Sequence, residues 1–522
     1  MRILGFEISR GARSIDAPPV DAAPVKQRIS RGGPRGGYRR GFQAGVTDRL
    51  TSKWTTTDET INMSLLRHLR VMRARSRDFG RNNEYGRKFL SLVRTHVVGP
   101  NGFTLKVDCR RPDGTPDKPD SDRIGRAYRR WAKRGNFDVT GKLSETQFDQ
   151  LAVTMVARDG EVLIRMVEGR DRGLHRFQLQ LLSGHLLDED HNRDLADGHR
   201  IRMGVEFDAF MKPVAYHLRI IDGSADMYGT ASQRYERVDA SEIIHLFIAE
   251  EIEQWRGVPW AYVALRDAKH LDQFDEAALV AANVGAAKMG FFQQKDPEAG
   301  MPMAGEGGES EDGYRADQGD FVTSAEPGSF DIIPDGYELK EYDPTYPNEV
   351  YDPFTRNVLR RLSTGLLVAN HSLTGDLTQV NFSSIRAGTL DERDMWKIIQ
   401  GWYAEIKAEI FERWLGLALI HDAELKALPY TKFDKFNAPV FFGRRWDWVD
   451  PSSDAAADRE AVALGVRSRA QIIRESGRDP DEVWAELQAE SDMGMAQPHA
   501  GGGGSSGGSV PASNVGAKER DV

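Results

Sequence analysis

Only one cysteine, Cys109, stands among the 522 residues, so an intrachain disulfide is impossible and no cysteine pair exists to build a zinc site. Cys109 reads as an ordinary thiol in a loop. No run of about eighteen uncharged apolar residues occurs. The N-terminus has no apolar signal core, so neither membrane insertion nor secretion is expected. Also missing are a Gly-rich phosphate loop followed by Lys-Ser or Lys-Thr, a Gly-x-Ser-x-Gly elbow and a His-Glu-x-x-His pair. Those absences remove the signatures of P-loop ATPases, α/β-hydrolases and zinc peptidases. The expectation is a protein without cofactor, metal or catalytic residue, and any ATP hydrolysis in its process falls to another subunit.

With 40% hydrophobic and 29% charged residues, the chain has material for one large composite fold or for several domains in contact. The net charge of -9 is uneven: residues 1–95 hold 20 Lys and Arg against 8 Asp and Glu, so all the acidity lies downstream. Residues 296–352 alone carry 16 acidic residues, with only Arg315 and Lys340 as bases. A globally acidic protein does not adsorb DNA indiscriminately, because phosphate attraction dominates non-specific affinity. That matters if DNA has to slide past it.

Residues 31–45 (RGGPRGGYRRGFQAG) mix Gly, Arg and Pro with Tyr38 and Phe42. Such a segment buries too little apolar surface to offset its ordering entropy, so residues 1–47 read as a disordered basic arm. An assembly arm and a DNA-gripping tail both fit its composition. Residues 501–509 (GGGGSSGGS) mark a flexible tail over 496–522.

Between these ends, apolar spacing predicts helices over 63–98 with a junction at 80–83, then a helix from Phe148 running into a strand at 161–165. Strands are expected at 177–182, 201–207, 213–221 and 243–247. From Trp260 the period turns helical through Tyr262, Leu265, Ala268, Leu271, Phe274, Ala278 and Ala281. An acidic block at 296–347 interrupts it, and a second helix is expected at 348–367. After a polar loop at 368–384, a long helix follows with Met395, Ile399, Trp402, Ile406, Ile410, Trp414 and Leu417 on one face and Asp391 near its start as a cap. Trp446, Trp448 and Trp484 read as packing anchors.

The stretch LLDEDHNRDLADGHRI gathers Asp188, Glu189, Asp190, His191, Asp194, Asp197 and His199. Carboxylates with imidazoles suit a metal-dependent nuclease; Asp, Asn and Gly are equally what turns prefer. A turn-rich loop is the reading adopted. The alternative is a metal-dependent DNA-processing enzyme of a phage or mobile element.

Several stretches recur in kind and order as in one known family: RARSRDFGRNNEYGRKFL (73–90), DGEVLIR (159–165), MGVEFDAFMKPVAYHL (203–218), IIHLF…QWRGVPW (243–260), TLDERDMW (389–396), WDWVDP (446–451) and SRAQIIRESGRDPDEVWAELQAE (468–490). Together they resemble the lambda-type portal proteins of tailed bacteriophages, from about Arg73 to about Met493. The resemblance implies an α+β portal fold with a strand-rich wing, long stem helices, a small α/β clip and a helical crown. It also implies a homododecameric ring around a DNA channel at one capsid vertex of the virion, assembled in the host cytoplasm. Its implied partners are other copies of itself, double-stranded DNA passing non-specifically, the terminase large subunit, the major capsid or scaffold protein and a head-tail connector protein. No membrane is involved. Carried over, the wing takes 48–255, the first stem helix 256–289, the clip 290–347 and the second stem helix 348–367. A tunnel loop takes 368–384, a channel helix and return to the wing 385–451, and the crown 452–495. Asn370, His371, Ser372, Thr374, Gln379, Asn381 and Ser383 would then face DNA, as polar groups that touch any sequence without clamping it. On residue types alone, an ordinary solvated loop fits equally well.

Overall fold

The computed structural model describes residues 55–220, 234–286, 290–294, 337–341, 351–378, 381–446, 451–475 and 480–493, with positions 49, 52, 53 and 478. Two units divide at residue 58; the second carries the fold, and the first is described only by a short turn and an extended run. The basic arm, the insert at 296–328, Trp448 and the Gly-rich tail lie outside the described residues.

Helix α1 (Ile61–Asn82) buries Leu65, Leu69 and Phe79. It ends because Asn83 is extended and caps the next helix, α2 (Glu84–Val93), accepting from Tyr85 N and Gly86 N. A π-helical turn (Arg94–Val98) follows, then β1 (Thr104–Val107), α3 (Lys118–Trp131) and α4 (Glu145–Asp159). Ser144 and Gln147 form a capping box on α4. The junction between α1 and α2 falls where apolar spacing put it.

The strands form antiparallel sheets. One is β2 (Val162–Glu168) between β3 (Phe177–Ser183) and β9 (Ile243–Leu246). The other is a meander of β4 (Arg193–Asp194), β5 (Arg200–Arg202), β6 (Val205–Phe207), β7 (Pro213–Arg219) and β8 (Tyr235–Asp239). The single strand expected at 201–207 is therefore two, folded back at Met203 and Gly204, with φ of 48° and 84°. Left-handed backbone at two successive residues reverses the chain.

Helix α5 (Leu265–Ala286) and α6 (Tyr351–Gly365) run antiparallel. Arg361 meets Asp267 at 2.8 Å, and Tyr351 meets Asp275 at 2.9 Å. Between them β10 (Gly290–Gln294) pairs with β11 (Tyr337–Glu341). A five-residue helix, α7 (Asn370–Thr374), precedes the 40-residue α8 (Phe382–His421). The cap of α8 is Asn381, in a capping box with Ser384. Asp391, expected near the start, lies well inside the helix, because the apolar spacing used to place the start begins later than the hydrogen-bonded turns do.

Helix α8 is the centre of the main core. Trp396, Tyr403, Phe411, Trp414 and Leu415 are buried on it, against Tyr128 and Trp131 of α3 and Phe148 of α4. Trp131 donates to Phe177 O at 2.9 Å. Lys407, also buried, bonds Glu145 and Asp149 at 2.6 Å each. Its first half, by contrast, exposes Leu390 and Ile398. The chain ends its fold with a short helix α9 (Phe433–Phe436), β12 (Pro439–Phe442) paired to β1, and helices α10 (Pro451–Ala463), α11 (Arg469–Glu475) and α12 (Pro480–Asp492). Cys109 lies in a loop, as its sequence context suggested, and is fully buried there beside β1. Trp446 stacks on His96 and donates to its Nδ1 at 2.9 Å, whereas Trp484 is 46% exposed. Among the described residues, no helix is long and apolar enough to cross a membrane.

Candidate functional site

Two polar constellations stand out. The first is the 368–384 segment. Leu366 and Val368 are buried, while Leu367 between them, at φ 56°, is 71% exposed. The chain then turns into α7, which Leu373 pins to the core. Gly375 ends it with φ 74° and open space where a Cβ would be, the left-handed cap for which glycine is favoured.

Within α7 the polar side chains are held by the fold. Ser372 donates from Oγ to Glu392 Oε2 at 2.7 Å. Glu392 is buried and also accepts from Trp396 Nε1 at 3.3 Å. His371 Nε2 lies 3.3 Å from Thr389 Oγ1. Asn370 Oδ1 accepts from Ser363 Oγ at 3.2 Å, and Thr374 donates to Asn370 O at 2.8 Å. All four are partly buried. Asn381 and Ser383 are exposed, with the Asn381 side chain taken up by its cap; Gln379 lies outside the described residues. The exposed tip is Gly375, Leu377 and Thr378, folded over Asp376, whose Oδ1 accepts from Thr378 N at 2.9 Å. Those hydrogen bonds from Thr378 hold the Asp376 carboxyl below its usual range. Polar composition located the segment; it did not separate inward from outward residues.

The second constellation draws on four of the sequence stretches quoted above. Gly160, at φ 91°, and Gly257 face each other so closely that a Cβ on Gly257 would fall 2.1 Å from Gly160 O. That approach places Glu161 against Arg256, both fully buried. Arg256 Nε donates to both Glu161 oxygens at 3.0 and 2.8 Å, and its terminal nitrogens donate to Met203 O at 2.7 Å and Gly184 O at 2.8 Å. Arg73 Nη2 reaches Glu161 at 2.8 Å while its Nη1 reaches Glu189 at 2.8 Å. His245 Nε2 lies 3.0 Å from Glu161, and Gly257 N donates to it at 3.1 Å. Burial alone would push the Glu161 carboxyl up; Arg256, His245 and Arg73 reverse that and hold it well below the usual range. Next to it, Asp159 takes bidentate bonds from Arg77 and Arg158.

The carboxylates of the acidic-histidine stretch are saturated in the same way. Asp188 accepts from Tyr235 at 2.6 Å and pairs with Arg219, Glu189 pairs with Arg73, Asp190 with Arg70, and Asp194 with Arg202. His199 leans on Glu206 at 3.1 Å, Asp197 Oδ1 accepts from His199 N, and His191 stacks on Tyr235. Among the described residues no cluster of His, Cys, Asp and Glu could hold a metal ion. Sequence reasoning missed Glu161 and Arg256. Their cue was a charge next to glycine at the edge of an apolar run.

Comparison with known proteins gives one consistent result. Residues 47–400 match the family model described as phage portal protein, lambda family. A probable portal protein of Halomonas phage phiHAP-1 is 32% identical over 86% of this chain and 87% of its own length. Portal protein B of Escherichia phage lambda is 24% identical over 84% of this chain and 86% of its own. Among solved structures, the neck of a native gene transfer agent particle computed with C12 symmetry aligns at 12% identity and TM-score 0.43. That alignment covers 78% of this chain and 94% of that one, a likeness too loose to bear on individual residues.

Proposed function

This chain belongs to the lambda family of phage portal proteins, and from that premise we propose that its copies close into a dodecameric ring around a channel through which the terminase packages the genome and from which the genome later leaves. As a portal protein it is a structural component of the virion at the capsid vertex, and not an enzyme. The observation that carries the ring reading is the span of the family match, which runs unbroken through α5, α6, α7 and the exposed half of α8. In this reading the wing is built on 48–255, the antiparallel pair α5 and α6 is the stem, and the paired β10 and β11 open the clip. The crown comprises α10 to α12, and the head-tail connector and the capsid or scaffold protein attach at the outer faces.

Double-stranded DNA of any sequence must slide past without being read or clamped. The polar side chains of α7 are engaged in the fold, so the parts of the loop that reach DNA are the tip 375–378 and the first turn of α8, with Asn381 and Ser383. Electron microscopy of the purified 58.4 kDa chain, with scaffold protein added, tests the ring directly. Annular particles with a central hole are expected; a sharp monomer at high concentration under all conditions would sink the reading.

A further inference from the structure

A patch of uncompensated positive charge lies where three elements meet. Residues 126–134 (RAYRRWAKR), the second half of α3 and the turn after it, hold five bases and no acid. Residues 169–176 (GRDRGLHR), the loop from β2 to β3, hold Arg170, Arg172 and Arg176 against Asp171 alone. Lys426 follows the end of α8. The arginines of α1 make the contrast, since Arg67, Arg70, Arg73 and Arg77 each meet a carboxylate.

The three elements are tied together from beneath. Arg130 pairs with Asp422 at 2.9 Å and with Glu424 at 2.7 Å. Trp414 donates to His175 Nδ1 at 2.9 Å, so the buried His175 carries its proton on Nε2 and donates it to Asp422 at 2.8 Å. A Cβ on Gly173 would fall 2.8 Å from Asn136 O, which sets the loop directly on the turn after α3. These bonds occupy Asp422 and Glu424. Arg129, Lys133, Arg134, Arg172, Arg176 and Lys426 form no ion pair among the described residues; Arg172 is half-buried and the other five are exposed. Burial, and then the charges of Arg176 and Lys426, hold the His421 imidazole below its usual value, so cations of the loop and of the α8 end stand beside the same ring. Arg176 also keeps a left-handed φ of 61°, a conformation that glycine adopts freely and an arginine does not. Strain retained under an exposed charge, in a cluster of like charges, points to a use for that charge.

We propose that this patch holds the phosphate backbone of double-stranded DNA, as a second DNA contact on the wing and outside the channel. Guanidinium forks match phosphate oxygens, and cations drawn from three elements can meet several phosphates at once. Phosphate contacts of this kind hold DNA of any sequence. Charge chooses an anion, and the lack of apolar surface chooses DNA over an acidic protein. Among residues 126–134, 169–176 and 421–426 the one large apolar side chain that is exposed is Leu174, too little to form the buried centre of a protein interface. The inference takes from the portal reading only that the genome lies beside the protein, and it does not require the ring to close.

Closed circular duplex DNA separates this contact from the channel, because it cannot thread a closed ring. The full-length protein should bind relaxed circular DNA with an affinity that falls steeply as salt rises, while microscopy of the same preparation reports the rings separately. Combining Arg172→Gln, Arg176→Gln and Lys426→Gln should weaken that binding and lower the slope of log affinity against log salt by about three. Arg176→Gly alone should weaken it too, while the denaturation midpoint holds or rises, because glycine relaxes the left-handed backbone; that variant keeps the test open if the triple one folds poorly. Circular DNA bound equally by the wild-type and triple variants, or not bound by the wild type, would overturn the proposal. So would loss of ring formation in the triple variant, which would make the patch an interface between copies. Unchanged DNA binding with lost attachment of scaffold or capsid protein would hand the patch to a protein partner. DNA binding that depends on these residues in a chain that never forms rings would uphold the patch and overturn the ring alone.

Discussion

Around Glu161 the carboxylate is gripped at once by Arg256, Arg73, His245 and a backbone amide, whereas around Ser372 a five-residue helix is held by single hydrogen bonds to its neighbours, from Ser372 to Glu392, from Ser363 to Asn370 and between His371 and Thr389, and by one buried leucine. Both regions are crowded with polar residues, but only the loop read as a site in the sequence. The difference lies in what satisfies the polarity. Ion pairs drawn from many elements fix a region, because moving any one element leaves a charge buried and unpaired. Single hydrogen bonds between neighbouring helices are each broken at a lower cost, about 1–3 kcal/mol per bond. The surroundings of Glu161 are thereby fixed from many elements at once, and α7 is held by fewer and weaker contacts.

The largest effect expected from this contrast is in the wing. Arg256→Met leaves Glu161 buried without its main partner and should lower stability by about 3–5 kcal/mol, measured as the shift in denaturation midpoint. A loss of under about 1 kcal/mol, no more than an ordinary hydrogen bond, would break the comparison.

Acid should reveal the same rigidity. Asp188 lies in a buried setting that would raise it, yet Arg219 and Tyr235 bring it down to about 2. For Glu206, the Arg237 bond comes first, and it too is held at about 2. A depressed folded-state value means stability that is present above the ordinary carboxylate range and is lost as pH falls from about 4.5 toward 2. Glu206→Gln should flatten that part of the stability profile. An unchanged slope would show that the meander does not depend on this ion cluster.

What was legible in the sequence follows the range of the forces involved. The helix break at Asn83 and the strand after α4 rest on caps and local periodicity, and both could be read directly. The pairing of β1 with β12, Thr104 opposite Phe442, leaves no local trace because its partners are hundreds of residues apart. The fold-back at Met203 and Gly204 was hidden in an apolar run that reads as one strand. In the loop, residue types gave the right segment but not its facing: whether Ser372 points to solvent depends on Glu392, a full helix turn or more inside another element. The Glu161–Arg256 pair was visible only as two glycine-flanked motifs, DGE and WRG, whose contact is a tertiary fact.

A smaller effect is expected at α7. Ser372→Ala removes one bond to Glu392, which keeps its contact with Trp396, so the loss should be about 1–3 kcal/mol. Hydrogen exchange should rise in α7 and not in α4 or β2. Exchange that rose equally in the wing would mean that the two regions are coupled, and the contrast drawn above would fail.

The smallest effect on stability should come with the most specific effect on function. Removing the whole segment 373–379 would take out buried Leu373 and confuse core damage with loss of a contact, so the informative change spares it. Replacing Asp376, Leu377 and Thr378 with Gly-Ser-Gly removes the exposed Leu377 and the bonds that fold the tip over Asp376, while Gly375 and α7 stay in place. Solvent-exposed substitutions of this kind ordinarily change stability by no more than about 0.5 kcal/mol, and ring assembly should be unaffected, because the larger helix and strand surfaces should dominate the contact between copies. If the tip touches DNA in the channel, heads assembled with this variant should package less DNA or retain it less well than wild-type heads, measured as genome length and leakage from filled particles. Heads that fill and hold DNA normally would move the DNA contact off the loop and onto the first turn of α8. Failure of the ring to form would make the tip an interface element instead.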